Sequence, residues 1–460
     1  MSRRCRRTSR GSRASWPRFE RRWRDICGSS ASMLDGVVAS QTDVRSKNTK
    51  RELDRLGISR VPPGWKLSTV GNACTIRNEL RLPLSQEARA TMQGTYPYYG
   101  PTGILDYLDE FRAEGDFALI GEDGDHFLDV GRKSQTIRVS DRFNVNNHAH
   151  LVADGVACTV DWFFHFFRHK DISHSLTRQG AGRFKLTKQA LEKLPILLPP
   201  LCEQRKIAEI FRTWDESIET LERLRSAKAR HHRALTNLLV FGKRQFSHFC
   251  ITDAETSHRW FTLPASWDCE PLGKLANEIS ERNADGGQFE VLSCSKYEGF
   301  VRSLEYFKKQ VFSADLSGYK KIWRGDFGFP SNHIEEGSIG LQNLTDVGVV
   351  SPIYTVFRFA PERVDVEYAF AVLKTGVYRH IFEVSTSASV DRRGSLRWSE
   401  FSKLPFPVPS LVEQKAIVEV LRTTRTELDA IAKEVDLFRR QKRGLMQKLL
   451  TGEWRVKAAD

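Results

Sequence analysis

The chain has 460 residues, enough to build two or more hydrophobic cores, and its 40% hydrophobic and 28% charged composition excludes a wholly disordered protein. It contains no apolar run long enough to predict a membrane-spanning helix, and its eight cysteines form no CxxC pair of the kind found in zinc sites. The formal charge of +14 favours a polyanionic partner.

Residues 1–60 are predicted to form a basic, disordered leader. Residues 1–25 hold ten arginines against Glu20 and Asp25, a net charge of +8, so the other 435 residues carry only +6 (14 − 8). The arginines are not followed by the apolar stretch of a secretory signal. Two interpretations stay open: a disordered arm, or translated upstream sequence that precedes a true start at Met33.

Residues 61–200 are predicted to form a mixed α/β domain. Short runs of alternating apolar residues, such as Phe117 to Ile120 and Thr136 to Val139, are bounded by turn-forming residues, which is typical of short strands. Residues 245–410 show the same pattern, for example from Tyr354 to Phe359. The fold class expected is therefore α/β, with two such domains in tandem.

A long helix is predicted after each domain, over residues 201–244 and 411–456. Apolar residues recur at steps of three and four, which is the spacing of a coiled-coil stripe. Pro199 and Pro200 stop the preceding strand, and Gly242 and Gly452 are expected to end the helices. Each stripe needs a partner, so the two helices are expected to pack antiparallel. Arg225, Lys228 and His232 interrupt the first stripe, and a structural role for them is favoured over a ligand site.

The chain is an internal duplication. At a constant offset of 210, three segments recur, and at an offset of 202, three residues near the start of each copy recur. Leu194-Pro195, Glu203-Gln204 and Gly115-Asp116-Phe117 match Leu404-Pro405, Glu413-Gln414 and Gly325-Asp326-Phe327, and Pro62, Trp65 and Gly71 match Pro264, Trp267 and Gly273. Two copies of one fold predict a pseudo-twofold internal repeat.

No catalytic motif was found. Neither Pro-Pro pair follows the asparagine or aspartate that an amino-methyltransferase needs. Gly131-Arg132-Lys133-Ser134 lacks the earlier glycine of a phosphate-binding loop. The acidic run from Glu122 to Asp125 fits neither a nuclease nor a calcium loop, so a turn is the expected role. No metal site or catalytic residue is predicted.

Several segments resemble one family, the specificity subunits of type I restriction–modification enzymes. In the first domain these are YPYYGPTGILDYLDEF (96–111), FALIGEDGD (117–125) and NVNNHAH (144–150). In the second they are residues 299–327 and 348–357, and TGEWRV (451–456) lies near the end. The similarity extends from about Pro62 to Val456, and the arginine-rich leader is not part of it.

The resemblance implies two target-recognition domains, each reading one half of a bipartite DNA site, with the helices setting the spacing. It also implies a cytoplasmic, non-catalytic subunit that binds double-stranded DNA, two modification subunits and restriction subunits. S-adenosylmethionine, ATP and magnesium are expected on those partners and none on this chain. Two alternatives stay open: a self-sufficient restriction–methylation enzyme, and a two-module scaffold that binds no DNA.

Base reading requires forked donors, amides and cations near groove-facing loops. Arg183 and Arg393 are favoured because the repeat equates them. The full set of predicted DNA contacts is Tyr98, Tyr99, Arg132, Lys133, Asn146, Asn147, Arg178, Arg183 and Lys185 in the first domain, and Arg302, Lys320, Lys321, Asn332, Arg392, Arg393 and Arg397 in the second.

Overall fold

A computed structural model describes residues 50, 52–179, 183–249, 253–387 and 395–456. It divides the chain into two compact units: unit 1 comprises Met1–Glu219 with Asp436–Asp460, and unit 2 comprises Thr220–Val435. Most of the predicted leader lies outside the described residues. Residues 52–56 are helical and Leu56 is buried in the core of unit 1, so the disorder expected up to residue 60 is wrong for this segment. The domain boundaries expected from the sequence stay predictions.

Unit 1 contains short strands and short helices in alternation. Its strands are β1 (Lys66–Thr69), β2 (Thr75–Ile76), β3 (Gln93–Tyr99), β4 (Ile104–Leu108), β5 (Ala113–Glu114), β6 (Phe117–Gly121), β7 (Thr136–Val139), β8 (Arg142–Val145), β9 (Ala149–Ala153), β10 (Thr177–Gln179), β11 (Arg183–Lys185) and β12 (Pro195–Leu198). Its short helices are α1 (Val70–Ala73), α2 (Gln86–Ala90), α3 (Val160–Phe167) and α4 (Lys188–Glu192).

Two four-stranded sheets organise unit 1, in the orders β2-β9-β6-β7 and β4-β3-β8-β5, while β1 pairs with β12 and β10 with β11. Helix α3 begins at Thr159, whose hydroxyl accepts a hydrogen bond from the Trp162 amide, as an N-cap should. Five of its apolar side chains are buried, and they form a core with β12 and the long helices.

In unit 2 the long helix α5 (Leu201–Val240) ends, the strands and short helices of the second domain follow, and the long helix α10 (Leu411–Leu450) begins. The strands are β13 (Glu255–Ser257), β14 (Thr262–Pro264), β15 (Asp268–Pro271), β16 (Ala276–Ile279), β17 (Leu292–Ser295), β18 (Gly299–Arg302), β19 (Lys320–Trp323), β20 (Phe327–Pro330), β21 (Gly340–Leu341), β22 (Val347–Val350), β23 (Tyr354–Phe359) and β24 (Pro405–Val408). The short helices are α6 (Ser303–Phe307), α7 (Val366–Leu373), α8 (Gly376–Ser387) and α9 (Trp398–Phe401).

The strand pairing confirms the duplication. The order β16-β23-β20-β21 in unit 2 repeats β2-β9-β6-β7 in unit 1. The pair β15–β24 repeats β1–β12 in the same register, since Lys66 faces Leu198 and Asp268 faces Val408. These partners are related by the offsets of 202 and 210 seen in the sequence. The two domains are thus mixed α/β copies of one design.

Each long helix has its two ends in different units, and within each unit the two helices run antiparallel, as predicted. In unit 1, Trp214 packs against Phe438 with ring centroids 5.3 Å apart, and Arg455 binds Glu203. In unit 2, Lys228 pairs with Glu427 at 2.9 Å, and His232 hydrogen-bonds the Thr424 hydroxyl at 2.6 Å. Residue numbers rise along one helix as they fall along the other. The pseudo-twofold relation between the copies stays a prediction.

The apolar stripe accounts for the contact between the helices. Ile207, Phe211 and Leu239 of α5 are buried, as are Ile417 and Val435 of α10. Gly242 and Gly452 follow the helices with φ of 63° and 69°, the left-handed conformation expected of a terminating glycine. No described helix is long and apolar enough to cross a membrane.

Candidate nucleic-acid interface

The repeated residues form one anchor that joins each long helix to its α/β domain. Gln204 has no exposed surface; its Oε1 accepts from the Thr159 amide at 2.9 Å, and its Nε2 donates to the Ala157 and Pro199 carbonyls at 2.8 and 2.9 Å. Thr159 is the N-cap of α3, so this one amide fixes two helix starts. The repeated glutamine is therefore structural.

Gln414 makes the same contacts in unit 2. Its Oε1 accepts from the Asp365 amide at 2.8 Å, and its Nε2 donates to the Arg363 and Pro409 carbonyls at 3.0 and 2.9 Å. Asp365 is the N-cap of α7, as Thr159 is of α3. The residues that the two glutamines contact differ between the copies, but the pattern of hydrogen bonds is the same.

The repeated glutamate beside each glutamine is also held internally. Glu203 accepts from the Trp65 indole at 3.0 Å and from Arg455 at 2.7 and 2.8 Å, so a cation neutralises this buried carboxylate. In unit 2, burial raises the pKa of Glu413 against a hydrogen bond from the Trp267 indole. The repeated Trp–Glu pair belongs to the scaffold, like the glutamine.

Around the scaffold of unit 1, two family-like segments come together. Pairing of β6 with β9 sets Gly121 opposite Ala149, which places residues 121–124 beside residues 146–150. The Glu122 carboxylate lies 2.8 Å from Arg81 and 3.1 Å from Lys185. Burial alone would raise the pKa of Glu122, but Lys185, His150 and Arg81 together hold it below its usual value.

His150 completes this cluster. The ring is 1% exposed; its Nε2 lies 2.7 Å from the Leu186 carbonyl, and its Nδ1 lies 2.9 Å from the Asn78 amide nitrogen. Burial lowers the pKa of His150, so the neutral tautomer with the proton on Nε2 fits these partners. Sequence reasoning predicted only a turn here and missed Arg81 and Glu122, because their partners lie far away in sequence.

Several predicted contacts lie inside the fold of unit 1. Tyr98 has no exposed surface and its hydroxyl donates to the Leu82 carbonyl at 2.8 Å, which corrects its assignment as a DNA contact. Asn146 is 6% exposed and accepts from the His148 amide at 2.9 Å, so the same correction applies. Lys185 is bound to Glu122 rather than free. Tyr99 is half-buried, with its ring against Phe143.

The remaining candidates of unit 1 differ in exposure. Arg132, Lys133 and Asn147 are exposed, the first two just after the turn Asp125–Leu128 and the third beside His148. Arg178 and Arg183 lie on the paired strands β10 and β11. The exposed residues of this unit are the ones available to a groove.

In unit 2 the predicted cations are mostly paired. Lys320 donates to the Tyr354 carbonyl at 2.6 Å, and Lys321 lies 3.2 Å from Glu281. Arg302 keeps 40% of its side chain exposed beside Glu290, at 3.2 Å. Asn332 is half-buried after β20, and Arg397 is exposed at the start of α9. Arg392 and Arg393 lie outside the described residues.

The recurring aspartate is bonded within the fold in both copies. Asp326 is fully buried, accepts from the Trp323 amide at 2.8 Å and receives two hydrogen bonds from Arg358 at 2.6 and 3.2 Å. Asp116 lies 2.9 Å from Arg138. We therefore assign neither carboxylate to base reading.

Exposed apolar side chains form a feature that the sequence did not single out. Ile104, Leu105 and Tyr107 are 46, 51 and 48% exposed on β4, an edge strand of its sheet. In unit 2, Tyr297 is 82% exposed in the turn between β17 and β18. An apolar strand is expected to be buried, so its sequence pattern gave no signal of this exposure.

One surface turn gathers possible metal ligands. His333, Glu335 and Glu336 bring one ligand atom each within 4.8 Å of the others. His333 and Glu336 are exposed, and Lys296 lies 3.8 Å from Glu336. A partly neutralised cluster of this kind is ordinary in an exposed turn.

Comparison with known proteins agrees with this geometry. Residues 62–228 match the family model described as the type I restriction modification DNA specificity domain. The MjaVIII specificity subunit of Methanocaldococcus jannaschii, a type I restriction enzyme subunit, is 24% identical over 86% of this chain and 95% of its own length. A Haemophilus influenzae protein named as a type I restriction enzyme specificity subunit is 32% identical, but the match spans 36% of this chain and 40% of that protein.

A solved structure shares the fold. The type I restriction–modification S subunit of M. genitalium matches 84% of this chain and 96% of its own chain, with a TM-score of 0.51 and 15% sequence identity. A match at this sequence identity supports a shared fold and nothing beyond it.

Proposed function

We propose that this chain, which belongs to the specificity subunits of type I restriction–modification systems, reads a bipartite, asymmetric DNA sequence and performs no bond chemistry itself. The observation that carries the proposal is the paired design: two sheets of identical strand order, each fixed by the same Gln anchor to a long helix, carry different exposed loops. One scaffold holding two different surfaces suits the reading of two different half-sites.

The first reading surface would centre on Arg132, Lys133 and Asn147, and the second on Arg302, Asn332 and Arg397. These side chains offer the forked donors and amides that distinguish base edges in the major groove. Residues that hold the fold, such as Lys185 and Lys321, would position the loops instead. The expected partners are two modification subunits, which would supply S-adenosylmethionine-dependent methylation, and restriction subunits that use ATP and magnesium in the cytoplasm.

The test exchanges one reader. Residues 62–200 are replaced by the matching domain of another member of the family, and the methylated sites of the host DNA are mapped by methylation-aware sequencing. One half-site should change while the other half and the spacing persist. Simultaneous change of both halves would refute the two-reader design, and methyl transfer by the pure chain would refute the absence of bond chemistry.

A further inference from the structure

The C-terminal half of α5 carries an unusual concentration of positive charge. Between Arg223 and Val240 the sequence has no aspartate or glutamate. The same stretch holds four arginines, one lysine and two histidines: Arg223, Arg225, Lys228, Arg230, His231, His232 and Arg233. All four arginines are exposed, and we call three of them the cationic strip: Arg225, Arg230 and Arg233.

The fold leaves the cationic strip uncompensated. Lys228 is neutralised by Glu427 at 2.9 Å, but among the described residues no carboxylate pairs with any arginine of the strip. Arg230 and Arg233 stand three residues apart, where like charges on a helix repel. Burial lowers the pKa of His232, and Arg425, His231 and Arg233 lower it further. A ligand of opposite charge would relieve this repulsion.

The strip borders an open groove within unit 2. The groove has a volume of 2010 Å³ and runs between the two long helices and the second domain. Arg233, Arg425, Arg302 and Arg379 line it, and Arg379 pairs with no carboxylate in the described part of the chain. Carboxylates line the groove as well, and Arg302 and Arg425 are paired with Glu290 and Asp429. Among the described residues, the lining arginines without a carboxylate partner are Arg233 and Arg379.

The matching place in unit 1 is filled. At the offset of 210, Trp214 and Phe438 correspond to Thr424 and Lys228, and the aromatic pair is in contact at 5.3 Å. Asp215 and Lys442, which form an ion pair, correspond to Arg425 and His232. In unit 2 these positions make other contacts, since Lys228 pairs with Glu427 and His232 hydrogen-bonds Thr424. The helices of unit 2 therefore stay paired, but this part of the helix pair carries more positive charge than its counterpart in unit 1.

We propose that the cationic strip and this groove bind the phosphate backbone of double-stranded DNA next to the half-site read by the second domain, whatever its sequence. The inference rests on the proposed function. Arginine guanidinium groups suit phosphate because they are planar and always charged. Arg225 and Arg233 are eight residues apart, or roughly 12 Å along the helix, a length over which one DNA strand presents about four phosphates. Exposed arginines without carboxylate partners, spaced along one helix, suit a row of phosphates; a protein partner is the alternative that the test distinguishes.

The test measures the salt dependence of DNA binding. The full chain in complex with its modification subunits is titrated, between 50 and 200 mM salt, with two DNA duplexes. One contains the sequence that the complex methylates, and the other has a random sequence. Each phosphate contact contributes about 0.9 to the slope of log affinity against log salt concentration. The variant R225A/R230A/R233A should lose three such contacts, so its affinity should fall about 40-fold less across this range than that of the parent protein. Both duplexes should be affected alike, and the methylated sequence should not change.

Two matched variants make the result interpretable. R225K/R230K/R233K keeps the charge and should keep the slope, whereas K274A/K415A/K433A removes three exposed cations of the same unit and should leave the slope near that of the parent. An unaltered slope in the arginine-to-alanine variant overturns the inference. Loss of modification-subunit binding with an unchanged slope also overturns it, and assigns the strip to a protein partner. Failure of the proposed function looks different, because the parent itself would then not distinguish the two duplexes.

Discussion

Replacing Gln204 or Gln414 by leucine should destabilise one unit at a time. Leucine has a similar size but neither accepts nor donates a hydrogen bond. Gln204→Leu therefore leaves the Thr159 amide and the Ala157 and Pro199 carbonyls, which lie 2.8–2.9 Å from the glutamine, without these hydrogen bonds. Gln414→Leu strands the three equivalent backbone groups of unit 2.

The expected change in the free energy of unfolding follows from the number of polar groups left without a partner. A buried polar group without a partner costs about 1–3 kcal/mol, so three cost roughly 5 kcal/mol. Burying a leucine at a fully enclosed site returns about 2 kcal/mol. The free energy of unfolding of the affected unit should fall by about 3 kcal/mol in each variant, since both glutamines make the same contacts.

Hydrogen exchange followed by mass spectrometry localises the effect, which a single melting curve cannot do in a chain of two units. Gln204→Leu should speed exchange in α3 and at the start of α5, and Gln414→Leu in α7 and at the start of α10. The control is Gln189→Leu, which changes an exposed glutamine of α4. Destabilisation below 1 kcal/mol in either anchor variant, or exchange that rises equally in both units, would refute the anchoring role.

Three further changes test the cores. Asp215→Asn leaves the 7% exposed Lys442 side chain without its carboxylate. The free energy of unfolding of unit 1 should fall by about 2 kcal/mol, less than on breaking a fully buried ion pair because Asp215 is part-exposed. A urea titration whose midpoint did not move would contradict this. Burial lowers the pKa of His165 from 6.5 to about 3. Between these values the unfolded chain takes up a proton that the folded chain does not, so stability should fall as pH falls below 6.5, by up to about 1.4 kcal/mol per pH unit; His165→Leu should flatten that slope in melts across this range, and an equal slope would argue against burial as the cause. Charges at Leu428 and Ile431 (L428E/I431E) should abolish co-purification of modification subunits by separating the helices, whereas normal assembly would show that this stripe is not needed.

Sequence reasoning succeeded where the signal was a spacing. The heptad stripe, the stop at Pro199-Pro200 and the glycines after the helices depend on residues close together in sequence, and a long helix followed by a left-handed glycine is found in both copies. The constant offsets predicted the duplication because matched registers require matched spacings.

The sequence alone does not show which side chains have a distant partner. Lys185 and Lys321 look like free cations in the sequence, but each is paired with a carboxylate from another segment, Glu122 and Glu281. Tyr98 lies on a strand whose alternation is consistent with either face, and only packing decides that its ring is enclosed. Residue type predicts what a side chain can bind, whereas burial and neighbours decide whether it is available.

The structure also changes how recurrence between the two copies should be interpreted. Trp65, Glu203 and Gln204 recur, and each is enclosed and bonded within the scaffold. Recurrence in this chain therefore marks what both domains need in order to fold. Two domains that read different bases must differ at the residues that read them. Recurrence is therefore no reason to favour Arg183 and Arg393 as base readers, and base readers should be sought among exposed residues that the other copy lacks.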